Sequence, residues 1–493
     1  MTKLKELFSD TLIYGISSVL ARFIGYLLVP LHTAVFAEGQ YGVITLIFAA
    51  IALFNVVFQM GMESAYIRYG KDRDKAQSFF TTIQLFLLIS SGLLVLAVWL
   101  AQPAIAPILG LQVGDSILWM MLGILFFDTL AIVPFAELRL ERKSISFAVI
   151  KTGNVVVNLG LNFYLILGLN YGIEGVFISN LIASTLTALA TTLYTLPLLK
   201  GSWNTDFLKK ALIFGLPFIP AGFGHAINEL IDRFFLKSMD PATVQQLYGP
   251  DYTSDDIVGI YGACYKLAVF MLLIVQMFRM AWQPFFMRQS EERSAPKTFS
   301  QTFSFFNLAA AGIFLSVALF TEQIVSIKIP ILNFYLVDAK FWEGLNIVPV
   351  LLMAYWFQGW YINFSAGIFI SETTKRLPQI TLFGAGITII ANLTLIPFFG
   401  MMGSATATLI SYGAMAMLIY YYSTNAFRVP YKLVSGFGVM LTATATFYLK
   451  PYIMGYGYNE WLVSGTLLIL GMLIILGITY RSVKSIPDTA SAS

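Results

Sequence analysis

The sequence predicts an all-α integral membrane protein with about 14 transmembrane helices, in two pseudo-symmetric six-helix lobes plus two C-terminal helices. Three observations carry this prediction. Of the 493 residues, 58% are hydrophobic and only 11% are charged, whereas about 25% are charged in soluble domains. Apolar runs of about 20 residues recur along the chain. Finally, two parts of the chain resemble each other.

The apolar segments follow one another with short connections. The start, MTKLKELFSD, lacks the short apolar region and cleavage site of a signal peptide, so we expect a retained first helix. Several segments exceed the spanning minimum of about 20 residues, so tilted or kinked helices are expected. The segments lie at approximately 10–36, 41–69, 77–101, 115–137, 144–168, 172–199, 209–236, 257–288, 299–322, 341–371, 377–398, 400–426, 431–450 and 459–481.

Lysine and arginine are unequally divided between the two sides of this predicted bundle. Twenty lie in connections on one side, and four lie on the other: Lys237, Lys328, Lys340 and Lys450. Because basic residues are retained in the cytoplasm, both termini are predicted to be cytoplasmic. Six basic residues remain within the spans: Arg22, Arg68, Lys151, Arg233, Lys266 and Arg279. Of these, Arg68 and Lys151 are expected to reach the cytoplasmic headgroups.

Short internal matches predict the two lobes. The stretch YGIEG, Tyr171–Gly175, parallels FGMMG, Phe399–Gly403, and each follows an asparagine-containing piece, at Asn162 and Asn392. The predicted domains are an N-lobe (1–200), a C-lobe (201–426), and helices 13 and 14 with a cytoplasmic tail (427–493). Two similar halves with a site between them is the plan of many alternating-access transporters.

The seventh segment combines spanning length with a polar stripe. Five residues are spaced to share one face of a helix: His225, Asn228, Glu229, Asp232 and Arg233. Charges at membrane depth cost about 2.5–3.5 kcal/mol each, so this face must turn towards water or protein. Pro217 and Pro220 are expected to break the helix. Alternatives are a self-neutralising Glu229–Arg233 pair, solvation of the outer end by Asp232 and Arg233, and helix packing by His225.

Basic and amide side chains at depth suggest a ligand with both phosphate and sugar groups. Arginine binds phosphate oxygens bidentately and lysine acts as a point charge, so the basic residues within the spans, among them Arg22, Lys266 and Arg279, suit an anion held away from water. Amides both donate and accept hydrogen bonds, so Asn55, Gln59 and Asn158 are predicted to contact sugar. Interhelical hydrogen bonding is the alternative for the asparagines.

Carboxylates at depth favour coupling to an ion, because burial raises the cost of their charged form. Ion coupling or gating is therefore predicted for Asp128, His225, Glu229, Asp232 and Arg233, with H⁺ or Na⁺ as the coupling ion. Glu63 continues the spacing of Asn55 and Gln59 on the second segment. No other cofactor is expected.

Signals for an enzyme are weak. His32, His225 and the lone Cys264 cannot form a zinc site alone, and no GxxxxGK[ST] phosphate loop occurs. The largest outer connection, at about 239–257, is short and acidic. No catalytic residue, metal site or nucleic-acid partner is therefore predicted.

Several blocks resemble a known family. Val258–Ala268 (VGIYGACYKLA) followed by Ala281–Phe285 (AWQPF) looks like the eighth-helix signature of polysaccharide flippases of the O-antigen type. These belong to the multidrug/oligosaccharidyl-lipid/polysaccharide exporter superfamily. Further similar blocks are Leu27–Leu31 with Tyr41-Gly42, Gly61–Ala65 with Arg68, and Gly215–Pro220 with Asp232-Arg233. In one departure, His32-Thr33-Ala34 stands where that family resemblance suggests Tyr-Thr-Arg.

The resemblance implies two six-helix lobes around a cationic cavity and two extra helices. The implied cargo is an oligosaccharide on a polyprenyl pyrophosphate, carried from the cytoplasmic to the outer leaflet of a bacterial inner membrane. With this cargo, Arg22, Lys266 and Arg279 are predicted to bind the pyrophosphate. Lipopolysaccharide or O-antigen synthesis is the implied pathway, with a polysaccharide polymerase and other biosynthetic proteins as partners. Two alternatives stay open: a cation-coupled multidrug exporter of the same superfamily, and a membrane scaffold or integral glycosyl transferase.

Overall fold

The computed structural model describes residues 26–330 and 332–486. Every regular element in these ranges is a helix, apart from one isolated antiparallel bridge between Lys328 and Tyr335. The described chain packs as two compact units that meet in sequence between Gly262 and Ala263. The predicted all-α class is confirmed, and the predicted domain limits at 200 and 426 stay predictions.

Unit 1 contains eleven complete α-helices within the described residues. A π-helix (Tyr164–Gly168) extends α7, and a 3₁₀ helix (Leu196–Lys200) extends α8. The α-helices are α1 (Leu28–Val35), α2 (Glu38–Gln59), α3 (Met62–Tyr69), α4 (Ala76–Leu100), α5 (Gln102–Ile108), α6 (Ser116–Leu140), α7 (Ser144–Phe163), α8 (Gly172–Thr195), α9 (Thr205–Gly215), α10 (Phe218–Lys237) and α11 (Pro241–Tyr248).

The next helix, α12 (Ser254–Gln289), begins in unit 1 and ends in unit 2. Unit 2 also has a 3₁₀ helix (Ala339–Gly344) between α14 and α15. Its other α-helices are α13 (Ala295–Leu319), α14 (Thr321–Val325), α15 (Ile347–Ile370), α16 (Arg376–Ala426), α17 (Leu433–Met454) and α18 (Glu460–Lys484).

Eleven helical segments of the described chain are long and apolar enough to cross a membrane. One of them, α16, has 51 residues and non-helical dihedral angles at Gly400 (φ 53°, ψ −127°), so it contains two of the predicted segments. The 24 residues of α15 also reach spanning length. The first predicted segment, 10–36, lies largely outside the described residues. A multi-pass membrane fold is therefore confirmed.

Two predicted spans are each broken into two helices, and the breaks touch. Met60 and Gly61 adopt left-handed dihedral angles (φ 48° and 68°) and separate α2 from α3. The chain also breaks between α9 and α10, where Pro217 precedes Phe218. A Cβ on Gly61 would overlap the backbone of Gly215, so this contact requires glycine. The proline break is as predicted, whereas the break at Met60–Gly61 was not anticipated.

The segment after α8, where the predicted domain boundary falls, is attached to the start of α4. The Thr81 hydroxyl donates to the Leu198 carbonyl oxygen (2.8 Å), and the Asn204 N–H donates to the Thr82 hydroxyl (3.0 Å). In addition, the ring of Phe207 of α9 stacks on the ring of Phe79 of α4. These contacts hold α9 inside unit 1.

The internal repeat has a local structural counterpart. Gly172 and Gly400, the second residues of the two matched stretches, both have positive φ (62° and 53°). Asn162 and Asn392 are both fully buried and donate from Nδ2 to the carbonyl oxygen four residues earlier (2.9 and 2.7 Å). The matched residues therefore perform the same local role in each unit.

The core of unit 2 is organised around one buried amide. Asn307 Oδ1 of α13 accepts hydrogen bonds from the indole N–H groups of Trp356 (2.9 Å) and Trp360 (2.7 Å) of α15. All three residues are buried. Because a buried amide without partners is costly, these hydrogen bonds fix the packing of α13 against α15.

Candidate substrate and gating sites

The predicted pyrophosphate ligands lie on α12 and near the chain start. Arg22 is outside the described residues. Lys266 and Arg279 are both exposed on α12, although Tyr265 and Leu267 beside Lys266 are buried. At 3.6 residues per turn, Lys266 and Arg279 lie roughly 140° apart around a straight helix. They do not share one face of α12, and their joint contact with a pyrophosphate stays a prediction.

The exposure of Lys266 restricts what surrounds this part of α12. The helix has 36 residues, and its most apolar stretch is largely buried. A lysine ammonium facing hydrocarbon at this depth would be costly. Lys266 is therefore expected to face water or a polar ligand.

The predicted sugar-binding amides form two separate groups in unit 1. Gln59 Nε2 donates to Asn55 Oδ1 across one turn of α2 (3.5 Å). On α7, Asn162 Nδ2 donates to Asn158 Oδ1 (2.6 Å). Asn55, Gln59 and Asn158 are each partly exposed, as contact with a ligand requires, and their role with sugar stays a prediction.

His32 joins the second amide group. Its Nε2 lies 2.9 Å from Asn162 Oδ1, and both residues are buried. The imidazole also packs against the rings of Phe36 and Tyr41. The histidine at which the sequence departs from the family pattern thus connects α1 to α7 through a buried hydrogen bond.

Glu63 does not extend the amide spacing of α2, because the left-handed residues Met60 and Gly61 redirect the chain before it. Its Oε1 instead pairs with Nη2 of Arg139 at the end of α6. Sequence spacing alone therefore misplaced this carboxylate, since regular helical periodicity stops at Gly61.

A second, more buried carboxylate lies close to that pair. Glu137 of α6 is fully buried, accepts a hydrogen bond from the Tyr66 hydroxyl (2.8 Å) and pairs with Arg73 (2.6 Å). Arg73 comes from the connection between α3 and α4, so this group joins three parts of unit 1. Partial loss of hydration, and after it the Glu137 carboxylate, raises the pKa of the nearby Glu141.

Asp128 is the predicted ion-coupling carboxylate of unit 1. Its carboxyl group accepts a hydrogen bond from Ser184 of α8 and lies near the ammonium group of Lys151 of α7. The ammonium group also lies 5.5 Å from the centre of the Phe135 ring. A carboxylate with one neutral donor and one nearby cation is able to exchange a proton or a cation, and that role stays a prediction.

The polar stripe of α10 is partly a buried ion pair. Asp232 Oδ1 pairs with Arg233 Nη1 (2.6 Å), and the Tyr261 hydroxyl donates to Asp232 Oδ2 (2.6 Å). The charge on Arg233 is thus balanced by Asp232, while Glu229 contributes its backbone carbonyl oxygen to the same guanidinium. Asp232 and Arg233 are only 2% and 6% exposed. They do not solvate a helix end.

The remaining two stripe residues differ in environment. Asn228 is buried, whereas His225 is exposed one turn earlier on α10. The stripe therefore runs from an exposed histidine to a buried ion pair.

α2 and α12 cross with their backbones in contact. A Cβ on Gly42 would overlap the carbonyl oxygen of Asp255, and a Cβ on Gly259 would overlap that of Glu38. Near this crossing, Lys237 Nζ of α10 pairs with the Asp255 carboxylate (2.6 Å). Lys237 belongs to the basic-poor side of the chain, so this closed crossing lies at the predicted outer end of unit 1.

Sequence reasoning missed Arg139 as the partner of Glu63 and Tyr261 as a partner of Asp232, and it did not identify the buried Glu137 at all. Each pairing joins residues far apart in sequence: 76 positions for Glu63 and Arg139, and 29 for Asp232 and Tyr261. The sequence offered one indication of the first pairing: Arg139 is a basic residue just after a predicted helix, and Glu63 is a carboxylate that needs a partner. Among the described residues, no group of three histidine, cysteine or acidic residues is placed to hold a metal ion.

Comparison with protein families gives one match. A family model described as polysaccharide biosynthesis protein matches residues 7–290, which is more than half of the chain. The search of curated proteins found no match.

Solved structures with a similar fold include three membrane transporters. Lipid II flippase MurJ, in an inward closed conformation, has a TM-score of 0.68 and 17% identity, covering 95% of this chain and 99% of that chain. A MOP superfamily transporter from Pyrococcus furiosus has a TM-score of 0.58 and 14% identity, and the match covers 85% of this chain and 94% of that chain. A multidrug resistance MATE family transporter of the MOP superfamily, in an inward-facing conformation, has a TM-score of 0.56 and 16% identity. This match covers 84% of this chain and 94% of that chain. At such identities the likeness establishes the fold alone.

Proposed function

We propose that this chain, which belongs to the polysaccharide biosynthesis protein family, is a flippase for polyprenyl-pyrophosphate-linked oligosaccharide. It moves the headgroup from the cytoplasmic to the outer leaflet by alternating access, while the polyprenyl tail stays in the bilayer. The family match is the observation that carries the proposal. The likeness of fold to a lipid II flippase supports it.

Two sets of side chains are proposed to bind the cargo. Arg22, Lys266 and Arg279 bind the pyrophosphate, because positive charge within a spanning helix needs an anion or water beside it. The exposure of Lys266 on an otherwise buried part of α12 supports this role. Asn55, Gln59 and Asn158 contact the sugar, and the partial exposure of all three supports it.

Ion coupling and gating are proposed for the acidic groups. Asp128 exchanges H⁺ or Na⁺, supported by its contacts with Ser184 and Lys151. The gating group comprises His225, Glu229, Asp232 and Arg233, and the hydrogen bond from Tyr261 of α12 supports a link between α10 and α12. The site of action is a bacterial inner membrane with both termini in the cytoplasm, and a polysaccharide polymerase uses the product.

Substitution of Arg22 in cells tests the pyrophosphate role. Arg22→Ala, expressed at the wild-type level, is expected to abolish surface polysaccharide, since a neutral side chain cannot compensate the pyrophosphate charge. Arg481→Ala, at the exposed end of α18, is the matched control and is expected to leave polysaccharide unchanged. Normal polysaccharide in the Arg22→Ala strain would remove this role.

Two further assays separate the rival functions. A multidrug exporter would confer drug resistance on expression. The proposed binding of pyrophosphate by basic residues argues against this function, because such residues repel cationic drugs. An integral transferase would covalently change a labelled lipid-linked sugar in the presence of purified protein. Flippase function predicts neither result.

A further inference from the structure

Arg68 is an exposed arginine at the end of α3 whose guanidinium lies over an aromatic ring. Its Cζ is 4.6 Å from the centre of the Phe214 ring of α9 and 5.6 Å from that of Tyr69. A guanidinium that lies over an aromatic ring gains cation–π attraction. The N–H groups at its edge can still donate hydrogen bonds to another group. This arrangement presents hydrogen-bond donors to the surroundings of unit 1.

Three acidic residues on α3 or close to it form ion pairs with other basic residues. Glu63 pairs with Arg139, Glu137 with Arg73, and Asp72 with Lys75. Within the ranges that the structure describes, no carboxylate forms an ion pair with Arg68. The positive charge of Arg68 is thus left for a ligand.

Lys210 places a second positive charge on α9, four residues before Phe214. It is exposed and lies one turn before Phe214 on α9, and residues four apart on a helix are neighbours. Ala211 is buried and Phe207 stacks on Phe79, so this face of α9 packs into unit 1. Arg68 contacts the Phe214 ring from α3, and helical spacing places Lys210 on the neighbouring turn of α9.

Aromatic rings and a close glycine contact pack α3 against α9 beside Arg68. The Tyr69 ring packs edge-on against Phe214 (6.0 Å between centres) and stacks on Phe79 (6.0 Å). The glycine contact between Gly61 and Gly215 brings α3 and α9 together. Because these contacts already hold α3 against α9, ligand binding requires less ordering of the two helices.

The surroundings of the cations are those of a membrane surface. Ile213 is 67% exposed and Trp203 is 45% exposed on the same short stretch. Tryptophan and basic residues concentrate where lipid headgroups meet the apolar core. This end of unit 1 is also the basic-rich end predicted to face the cytoplasm.

We propose that Arg68 and Lys210 form a binding site for the phosphate group of a lipid in this leaflet. Arginine supplies two parallel hydrogen bonds to the phosphate oxygens and lysine a point charge. A phospholipid and a polyprenyl pyrophosphate share this chemistry. The site does not depend on the proposed flippase function, because it concerns lipid retention and not translocation.

Native mass spectrometry of the full-length protein tests the site. Protein exchanged into equimolar phosphatidylglycerol and phosphatidylcholine is expected to retain phosphatidylglycerol selectively. Arg68→Gln and Lys210→Gln are each expected to lower its occupancy about fivefold, the effect of losing one interfacial cation. Phe214→Leu is expected to give a smaller loss, because it removes only the ring under the guanidinium. Arg481→Gln, an exposed arginine of unit 2 with the same charge change, is expected to have no effect.

Competition distinguishes the sources of the phosphate. If polyprenyl pyrophosphate displaces phosphatidylglycerol one for one, the site also accepts cargo. If the phospholipid persists, the site is specific for phospholipid. Displacement by millimolar inorganic pyrophosphate would overturn a lipid site. An equal loss in Arg68→Gln and Arg481→Gln would overturn it as well, since general charge would then explain retention. Where Arg68→Gln fails to fold, Lys210→Gln and Phe214→Leu decide in the same way.

Discussion

Asp232 and Arg233 of α10 show how a buried charge is stabilised by a partner in this membrane protein. Asp232 and Arg233 are buried side by side, and the Tyr261 hydroxyl satisfies the second carboxylate oxygen. The sequence predicted the polarity of this stripe from its spacing alone. It could not predict Tyr261, because a partner on another helix depends on how the two helices pack.

Removing one member of the buried pair is expected to be costly. Asp232→Asn leaves the Arg233 guanidinium uncompensated, so the free energy of unfolding is expected to fall by about 3–5 kcal/mol. Tyr261→Phe removes one hydrogen bond to a charged group and is expected to cost about 1.5–3 kcal/mol. Chemical unfolding of the purified protein in detergent measures both values.

The double variant Asp232→Asn with Arg233→Gln is the control. It removes both charges and is expected to recover part of the stability that the single variant loses. Equal stability of wild type and Asp232→Asn would show that this pair does not hold α10.

Glu141 makes stability depend on pH. Its pKa is raised by partial loss of hydration and then by Glu137. A raised pKa means that protonated Glu141 stabilises the fold below the ordinary pKa of glutamate, and this contribution is lost as pH rises through the raised value. Glu141→Gln is therefore expected to have a higher melting temperature than wild type at pH 7.5 and the same melting temperature near pH 4.

Thermal unfolding at the two pH values measures the effect of Glu141→Gln. Glu291→Gln, an exposed glutamate of unit 2, is the control and is expected to leave the melting temperature unchanged at both. A lower melting temperature of Glu141→Gln at pH 7.5 would contradict the sign.

At the level of elements, breaks and close crossings define the helices of unit 1. Pro217 was readable in the sequence because proline removes a backbone donor and clashes in a helix interior. The break at Met60–Gly61 was not readable, since an isolated glycine is tolerated in many helices. Its left-handed conformation follows from the contact with Gly215, which only the packed structure reveals.

The crossing of α2 and α12 predicts sensitivity to a single methyl group. Gly42→Ala and Gly259→Ala place a Cβ against a backbone carbonyl oxygen, which cannot move aside as a side chain can. The helices must then separate, at an expected cost of about 1–3 kcal/mol. A melting temperature lowered by several degrees is expected in thermal unfolding.

Gly160→Ala is the matched control for the crossing, because nothing lies within 4 Å of its added Cβ. It is expected to leave the melting temperature unchanged or slightly raised, since alanine favours a helix over glycine. Tolerance of Gly42→Ala at the level of Gly160→Ala would mean that α2 and α12 do not pack this closely.

At the level of the whole molecule, composition and apolar periodicity predicted the all-α membrane fold because the bilayer leaves few alternatives. Thirteen of the predicted segments can be traced within the described residues, and the first lies largely outside them. The candidate site was less predictable. Lys266 and Arg279 were grouped by chemistry alone, and α12 presents them on different faces.

The central claim is that the chain flips lipid-linked oligosaccharide. The purified protein is placed in liposomes that contain a fluorescent polyprenyl-pyrophosphate sugar. Flipping is measured as the exposure of the sugar to a membrane-impermeant quencher. We expect protein-dependent exposure of the sugar, which Lys266→Gln slows at least tenfold and Arg481→Gln leaves unchanged. Equal exposure in liposomes with and without the protein would contradict it.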